Sequence, residues 1–185
     1  PKLPEQAIME LVQNYGLSAY DAGVLTAERE NVDYFQAVFQ TCSNAKAACN
    51  WVTSELFGLL NKAGLEISRS PISAADLGDL IKLIDAETIS GKMAKAVFEE
   101  MFASGKPPRE IVKARGLQQI TDDAQIVSLI QAVFVDNPGQ LNEYLAGNER
   151  LSSFFVGQVM KASGGAASPK KVNQLLAAEL DRRKK

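Results

Sequence analysis

Apolar residues recur along this chain at intervals of three and four. In "SAADLGDLIKLIDAET" Leu77, Leu80, Ile81 and Ile84 fall at i, i+3, i+4 and i+7, one stripe of an amphipathic helix. Ser73 stands just before it, where a hydroxyl can accept from the free N–H groups of the first turn. In "NAKAACNWVTSELFGLLNKAG" the residues Val52, Leu56, Leu59, Leu60 and Ala63 repeat the pattern, and Gly64 sits where a left-handed cap belongs. "TISGKMAKAVFEEMFASGKPP" reads as a helix capped by Thr88 or Ser90 and stopped by Gly105 and two prolines. "PPREIVKARG" is a short helix opened by Pro and closed by Gly116, and Thr121 is the expected cap of "TDDAQIVSLIQAVFVDN". Three more helices follow: "NPGQLNEYLAG" begun by Asn137 and Pro138, "NERLSSFFVGQVMKAS", and "SPKKVNQLLAAELDRRKK" begun by Ser168 and Pro169. No window shows strand alternation over more than about four residues with turn signals on both sides. The expected fold class is all-α.

Gly and Pro punctuation suggests how these helices are grouped. The segment "ASGKPPRE" follows a long helix and predicts a divide there, with a first helical unit ending at about 104 and a second, smaller one covering about 105–185. Within the first unit "YGLSAYDAGVLTAERENVDYF" stands apart, so residues 1–30 read as the tail end of a preceding domain and 31–104 as the first unit proper. A chain that begins "PKLPE" without an initiator Met fits a fragment of something longer.

Composition removes several classes of chemistry. At 185 residues with 46% apolar and 23% charged content the chain can bury a core. No run approaches the roughly 20 apolar residues of a membrane span, and the N-terminus lacks the pattern of a secretory signal; a cytoplasmic protein is expected. The sequence contains no His, which excludes imidazole-based triads and the commonest general base. Cys42 and Cys49 lie seven apart and match no metal-ligand spacing, so both read as reduced, half-buried thiols. Asp122 and Asp123 open a helix, while Glu99 and Glu100 occupy polar helix positions. No catalytic pair, metal site or cofactor site is expected.

Charge changes the picture at the C-terminal end. From Gly157 onward seven basic residues face two acids, a local balance of +5 in a chain of net −2, so residues 1–156 carry −7. The same region holds "GQVMKASGGAASPKKVNQLL". Its adjacent glycines, Gly164 and Gly165, do not make a Walker loop, which needs GxxxxGK[ST] between a strand and a helix. The stretch reads instead as a flexible connector into a helix with Ser168 as cap, Pro169 in the first turn, and Lys170 and Lys171 beside it. Cations at that end oppose the helix dipole, so something other than helix stability is expected to hold them. Lys161, Ser168, Lys170 and Lys171 are therefore candidates for contact with a phosphate backbone. Lys92 and Lys95, one turn apart near a helix start, are further candidates. Trp51 at helical spacing reads as core rather than as a base-stacking platform, and Arg182 to Lys185 read equally as a solvated terminus.

Four stretches taken together carry a family resemblance: "YGLSAYDAGVLTAERENVDYF", "ACNWVTSELFGLLNKAG", "TISGKMAKAVFEEM" and "FFVGQVMKASGGAASPKKVNQLL". In that order, from about Leu3 to Leu180, the chain resembles the C-terminal helical part and YqeY-like tail of the B subunit of bacterial aspartyl/glutamyl-tRNA amidotransferase, the GatB family. The last block is shared with free-standing YqeY proteins, and the first block with Asn50-Trp51-Val52 separates the two. The resemblance implies an enzyme subunit whose N-terminal cradle uses ATP and Mg²⁺ to activate Glu or Asp mischarged on tRNA(Gln) or tRNA(Asn), with ammonia from the amidase subunit. Residues 1–30 would then end the cradle's helical extension, and the remainder would hold the tRNA body, without catalytic residues or cofactor of its own. Partners implied are the tRNA and the amidase and small subunits of the amidotransferase, with no membrane. The loop "KASGGAASP" lacks a further basic residue that family members more often keep.

Two alternatives stand beside this reading. One is a protein-interaction module docking neighbouring subunits through "LSAYDAGVLT"; the other is a free-standing YqeY-like protein.

Overall fold

The computed structural model describes residues 3–117 and 119–185. The fold is all-α, and among the described residues the only extended pairing is an isolated parallel bridge between Ile120 and Ala167. The helices are α1 (Pro4–Tyr15), α2 (Ala19–Leu25), α3 (Arg29–Cys42), α4 (Ala45–Asn50), α5 (Phe57–Ala63), α6 (Ala74–Asp85), α7 (Gly91–Ser104), α8 (Pro108–Arg115), α9 (Asp123–Asp136), α10 (Pro138–Leu145), α11 (Leu151–Ala162) and α12 (Pro169–Lys184). None is long and apolar enough to cross a membrane among the described residues.

The ends of these helices are set by local chemistry. Ser18 Oγ accepts from the Asp21 N–H at 3.0 Å and Ser73 Oγ from Asp76 at 3.1 Å, each satisfying one orphan donor of a first turn. Asn44 does the same for Ala47 at the start of α4. Gly64 and Gly116 close α5 and α8 at φ 66 and 61, in the left-handed region that costs glycine little. The cap of α9 is Asp122, which accepts from the Gln125 N–H at 3.1 Å, and not Thr121 one residue earlier. A carboxylate one residue later both accepts the hydrogen bond and favours the positive end of the helix. Between α4 and α5 the chain does not break: Trp51–Leu56 winds as a π-helical segment, and Thr53 Oγ1 donates to the Cys49 carbonyl at 2.8 Å. Its wider turn inserts an extra residue into what periodicity reads as one uniform helix.

The chain forms two compact units. The first takes the residues up to Ala86 together with Met93–Gly116. Its core gathers Leu25, Phe35, Val38, Val52, Leu56, Leu77, Leu80, Ile81 and Phe98, all essentially inaccessible. Tyr15 sits edge-on to Phe35 and Phe39, with ring centroids 5.2 and 5.0 Å away, so α1 packs into this core and the described residues before 30 belong to the same unit. Helices α3 and α6 approach closely where α6 carries Gly78. Helix α8 buries Ile111 and packs on α6 within this unit, whose last residue is Gly116.

The second unit comprises Glu87–Lys92 and Leu117–Lys185. Helices α9 to α12 surround Ile126, Ile130, Phe134, Phe155, Val159, Val172, Leu176 and Leu180, with Ala167 from the α11–α12 loop in the same core. Phe134 meets Phe155 edge-on at 5.2 Å between centroids. Tyr144 and Leu141 bring α10 onto the cluster.

Candidate nucleic-acid interface

The loop between α11 and α12 is built from its own hydrogen bonds. Its N–H groups donate in turn: Ser163 to the Val159 carbonyl at 3.1 Å, Gly164 to Lys161 at 3.0 Å, Gly165 to Met160 at 2.9 Å, and Ala166 to Ser163 at 3.2 Å. Ala167 N–H donates to Ser163 Oγ at 3.1 Å, and Ser168 N–H to the Ile120 carbonyl at 2.9 Å. Gly164 and Gly165 adopt φ 65 and 82, the left-handed conformation that turns a chain back onto the last carbonyls of a helix. The glycines are thus a C-terminal cap for α11. With its donors spent, this loop offers no cradle of backbone N–H groups to an anion, and hydrogen bonds tie it to Ile120. Ser168 stands at the N-cap position of α12 as its sequence position leads one to expect, but it is 1% exposed and its side chain makes no capping bond.

Around this loop stand the lysines. Lys161 closes α11 and Lys170 opens α12, both exposed. Lys171 Nζ donates to Asp123 Oδ1 at 2.9 Å. That hydrogen bond and the Asp123 charge hold its ammonium above the usual lysine range, with Glu87 adding a smaller attraction. Lys92, in the first turn of α7, lies against the loop: a Cβ on Gly165 would stand 3.9 Å from its Nζ and 4.0 Å from its Cδ. Lys95 belongs to the first unit and faces Glu55 at 3.8 Å. The structure therefore brings Lys92 to the loop that Lys161, Lys170 and Lys171 flank, and leaves Lys95 in the other unit.

The basic C-terminus is fastened rather than loose. Arg183 lies over the Phe134 ring at 5.0 Å, and Lys184 over Tyr144 at 5.0 Å while donating to Glu149 Oε1 at 2.8 Å. The Lys184 bond draws the exposed Glu149 carboxyl below its usual range. Arg182 pairs with the buried Glu179. These cations serve the helix bundle first.

Elsewhere, Trp51 is half-buried and tilts against Phe98 with centroids 5.2 Å apart. Both thiols are free. Burial raises Cys42, and burial with the Asp21 charge pushes Cys49 up to about 11. Among the described residues no three Cys, Asp or Glu side chains gather as a metal-holding group. A cleft of about 630 Å³ in the first unit, lined in part by Glu10, Leu11, Tyr15, Arg29 and Asp33, contains none of the candidate lysines.

The sequence pattern of the GatB_Yqey family, described as the GatB domain, matches residues 33–180. The chain belongs to the GatB family. It is 50% identical over 181 residues to the B subunit of the aspartyl/glutamyl-tRNA(Asn/Gln) amidotransferase of Thioalkalivibrio sulfidiphilus, covering 97% of this chain and 38% of that protein. The corresponding B subunit of Azotobacter vinelandii is 49% identical, over 98% and 39% of the two chains. That of Carboxydothermus hydrogenoformans is 47% identical, over 97% and 37%. The chain thus spans less than two fifths of the length of these relatives and corresponds to their C-terminal part.

One residue central to this geometry has no signal in the sequence. Gln119, polar yet only 8% exposed, hydrogen-bonds the segment that leads to Lys92. Nothing in its spacing separates it from an ordinary loop glutamine.

Proposed function

We propose that the second unit of this chain binds the backbone of tRNA, and that it positions mischarged tRNA(Asn) or tRNA(Gln) for ATP-dependent transamidation in the rest of a full-length GatB protein. The observation that carries this reading is the placement of Lys92 against Gly165, on the loop flanked by Lys161 and Lys170. Exposed ammonium groups there can reach phosphates as point charges. A folded tRNA offers a helical protein mainly shape, phosphates and 2′-hydroxyls. Because the loop's own N–H groups are occupied, contact rests on side-chain charge and is independent of base sequence. The names of the relatives support tRNA as the polyanion. On this reading the catalytic residues, ATP and Mg²⁺ belong to the remainder of the GatB protein, which works in the cytoplasm with the amidase and small subunits.

The test is tRNA binding measured across a salt series with Lys161→Ala/Lys170→Ala beside the wild type. Each lost phosphate contact lowers the slope of log K against log salt by about 1. A double variant about 2 below the wild type supports the reading, and an unchanged slope and affinity would overturn it.

A second reading concerns the first unit. Tyr20, on α2 of this unit, is 80% exposed, a large side chain that a docking partner would cover. This favours a role for "LSAYDAGVLT" in holding a neighbouring subunit, alongside RNA binding by the second unit. Tyr20→Ser should weaken co-purification with the amidase and small subunits and leave the salt slope for tRNA alone.

A further inference from the structure

Three stretches distant in sequence meet in the second unit, and a single dipeptide joins them. Gln119 N–H donates to the Thr88 carbonyl at 2.8 Å. Its side-chain amide nitrogen, oriented as its surroundings allow, donates to the carbonyls of Glu87 at 3.0 Å and Ile89 at 3.2 Å. One buried residue therefore supplies three donors to three consecutive carbonyls. The next residue faces the other way: Ile120 N–H donates to the Ala166 carbonyl at 2.7 Å and the Ile120 carbonyl accepts from Ser168 N–H at 2.9 Å. Gln119–Ile120 is thus a staple between the segment 87–92 and the loop 163–168. At the far end of that segment Lys92 lies against Gly165 of that same loop.

The staple also explains a backbone oddity. Glu87 adopts φ 57 without being glycine, a conformation that L-residues avoid and that persists where surrounding bonds over-determine it. Its carbonyl is one of those gripped by Gln119. Buried polar groups are costly unless bonded, so an amide with this many matched acceptors holds the segment in one geometry.

We infer that Gln119 is a positioning residue for the RNA-binding patch: by clasping residues 87–89 it sets Lys92 against the loop between Lys161 and Lys170, so that one patch is assembled from two remote parts of the chain. This rests on the proposed tRNA-backbone reading and adds to it how the patch is built. Gln119 touches no RNA. It acts through Lys92.

A double-mutant cycle on the whole chain tests this, using tRNA binding across a salt series for wild type, Lys92→Ala, Gln119→Met and the pair. Met keeps the volume and removes the amide. The expected result is that each single variant lowers the salt slope by about 1 and the pair lowers it by about 1 rather than 2, because both changes remove the same contact. Hydrogen exchange should rise across 87–92 in Gln119→Met while α9 to α12 stay protected. Where Gln119→Met does not fold, Gln119→Asn, too short to reach both carbonyls, replaces it in the cycle. A wild-type slope in a folded Gln119 variant, or slopes that add to about 2, would overturn the inference. So would an unchanged slope in Lys92→Ala, a result that leaves the tRNA reading standing if Lys161→Ala/Lys170→Ala still loses about 2. Absence of tRNA binding by the wild type would overturn both.

Discussion

Lys171 stands in the first turn of α12, against that helix's own dipole, because Asp123 in the first turn of α9 accepts its ammonium at 2.9 Å. The pair resolves an electrostatic conflict that composition leaves open: Asp123 suits the positive end of α9, and its charge makes a cation tolerable at the positive end of α12. It also takes Lys171 out of the pool of free cations beside the loop. Asp123→Asn should release that ammonium. On the tRNA-backbone reading the salt slope of binding then rises by about 1, while the melting temperature changes little because exposed ion pairs contribute little to stability. A slope equal to that of the wild type would make Lys171 a purely structural cation.

Gly78 on α6 reports how tightly α3 and α6 pack. A Cβ there would lie 2.5 Å from Thr41 Cβ, 2.7 Å from Thr41 Cγ2 and 3.1 Å from the Val38 carbonyl oxygen. Nothing at the end of a flexible side chain can yield, so Gly78→Ala overpacks the core of the first unit, at a cost of roughly 1–3 kcal/mol. That exceeds the gain in helix propensity, which is about 1 kcal/mol or less. Thermal unfolding should shift down by about 2–4 °C per kcal/mol. Adding Thr41→Ala, which removes the side-chain atom Cγ2 from the clash, should recover part of the loss, and additive losses would show that the contact is not the cause.

How much of this was legible in the sequence differs by feature. Helices with a clean three-four stripe and a local end signal, such as α6 with Ser73 or α5 with Gly64, follow from spacing and side-chain chemistry within a few residues. The cap of α9 was displaced by one residue because Thr121 and Asp122 are both good caps and only the tertiary path chooses between them. The π-helical turn at Trp51–Leu56 was invisible, since apolar spacing stays near helical while the register slips. The basic residues were visible as a local excess of charge. Their sorting into paired and free cations was not: Lys171 finds Asp123 across 48 positions and Lys184 finds Glu149 across 35. The staple at Gln119 is of the same non-local kind.

The two thiols should differ in reactivity. Cys49 is 1% exposed and its thiol is pushed up to about 11 by burial and by Asp21, while Cys42 is only half-buried. At pH 8 an alkylating reagent should modify Cys42 first and reach Cys49 only through opening of the first unit. Linkage gives the pH dependence its sign. The unfolded thiol ionises near its ordinary value of 9.0, below the folded one, so between about 9 and 11 the unfolded state holds fewer protons and stability falls as pH rises. Tyr34, raised by burial while its hydroxyl donates to the Ile72 carbonyl at 2.8 Å, acts in the same direction at higher pH. A melting temperature that held steady from pH 8 to 11 would contradict both placements.

The C-terminal cations should matter for stability more than for RNA. Arg183 covers the Phe134 ring, whose other contacts lie in the core of the second unit. Removing that cover by Arg183→Ala should cost about 0.5–1 kcal/mol, the usual worth of an exposed cation over an aromatic face. The expected signature is a modestly lower melting temperature with the tRNA salt slope unchanged. A lower slope with normal melting would move Arg183 into the binding surface.

Two glycines of the same region answer to opposite physics, and one substitution made at each separates them. Gly157 lies exposed in the middle of α11, in ordinary helical conformation, and a Cβ there would meet nothing within 4 Å. Gly157→Ala should stabilise the second unit by roughly 0.5–1 kcal/mol, because glycine loses more backbone freedom on folding than alanine. Gly165 also has room, with only the Lys92 side chain near, at ordinary contact distances of 3.9 and 4.0 Å. Its φ of 82 is the obstacle. Any Cβ in that left-handed conformation costs on the order of 1–2 kcal/mol, so Gly165→Ala should destabilise the unit although nothing collides. The hydrogen bond from Gly165 N–H to Met160 that ends α11 is what demands the conformation. If the glycine pair instead existed to let a phosphate backbone approach, Gly165→Ala would weaken tRNA binding while melting normally. The capping account requires the reverse: earlier melting, with a salt slope equal to that of the wild type wherever the protein remains folded.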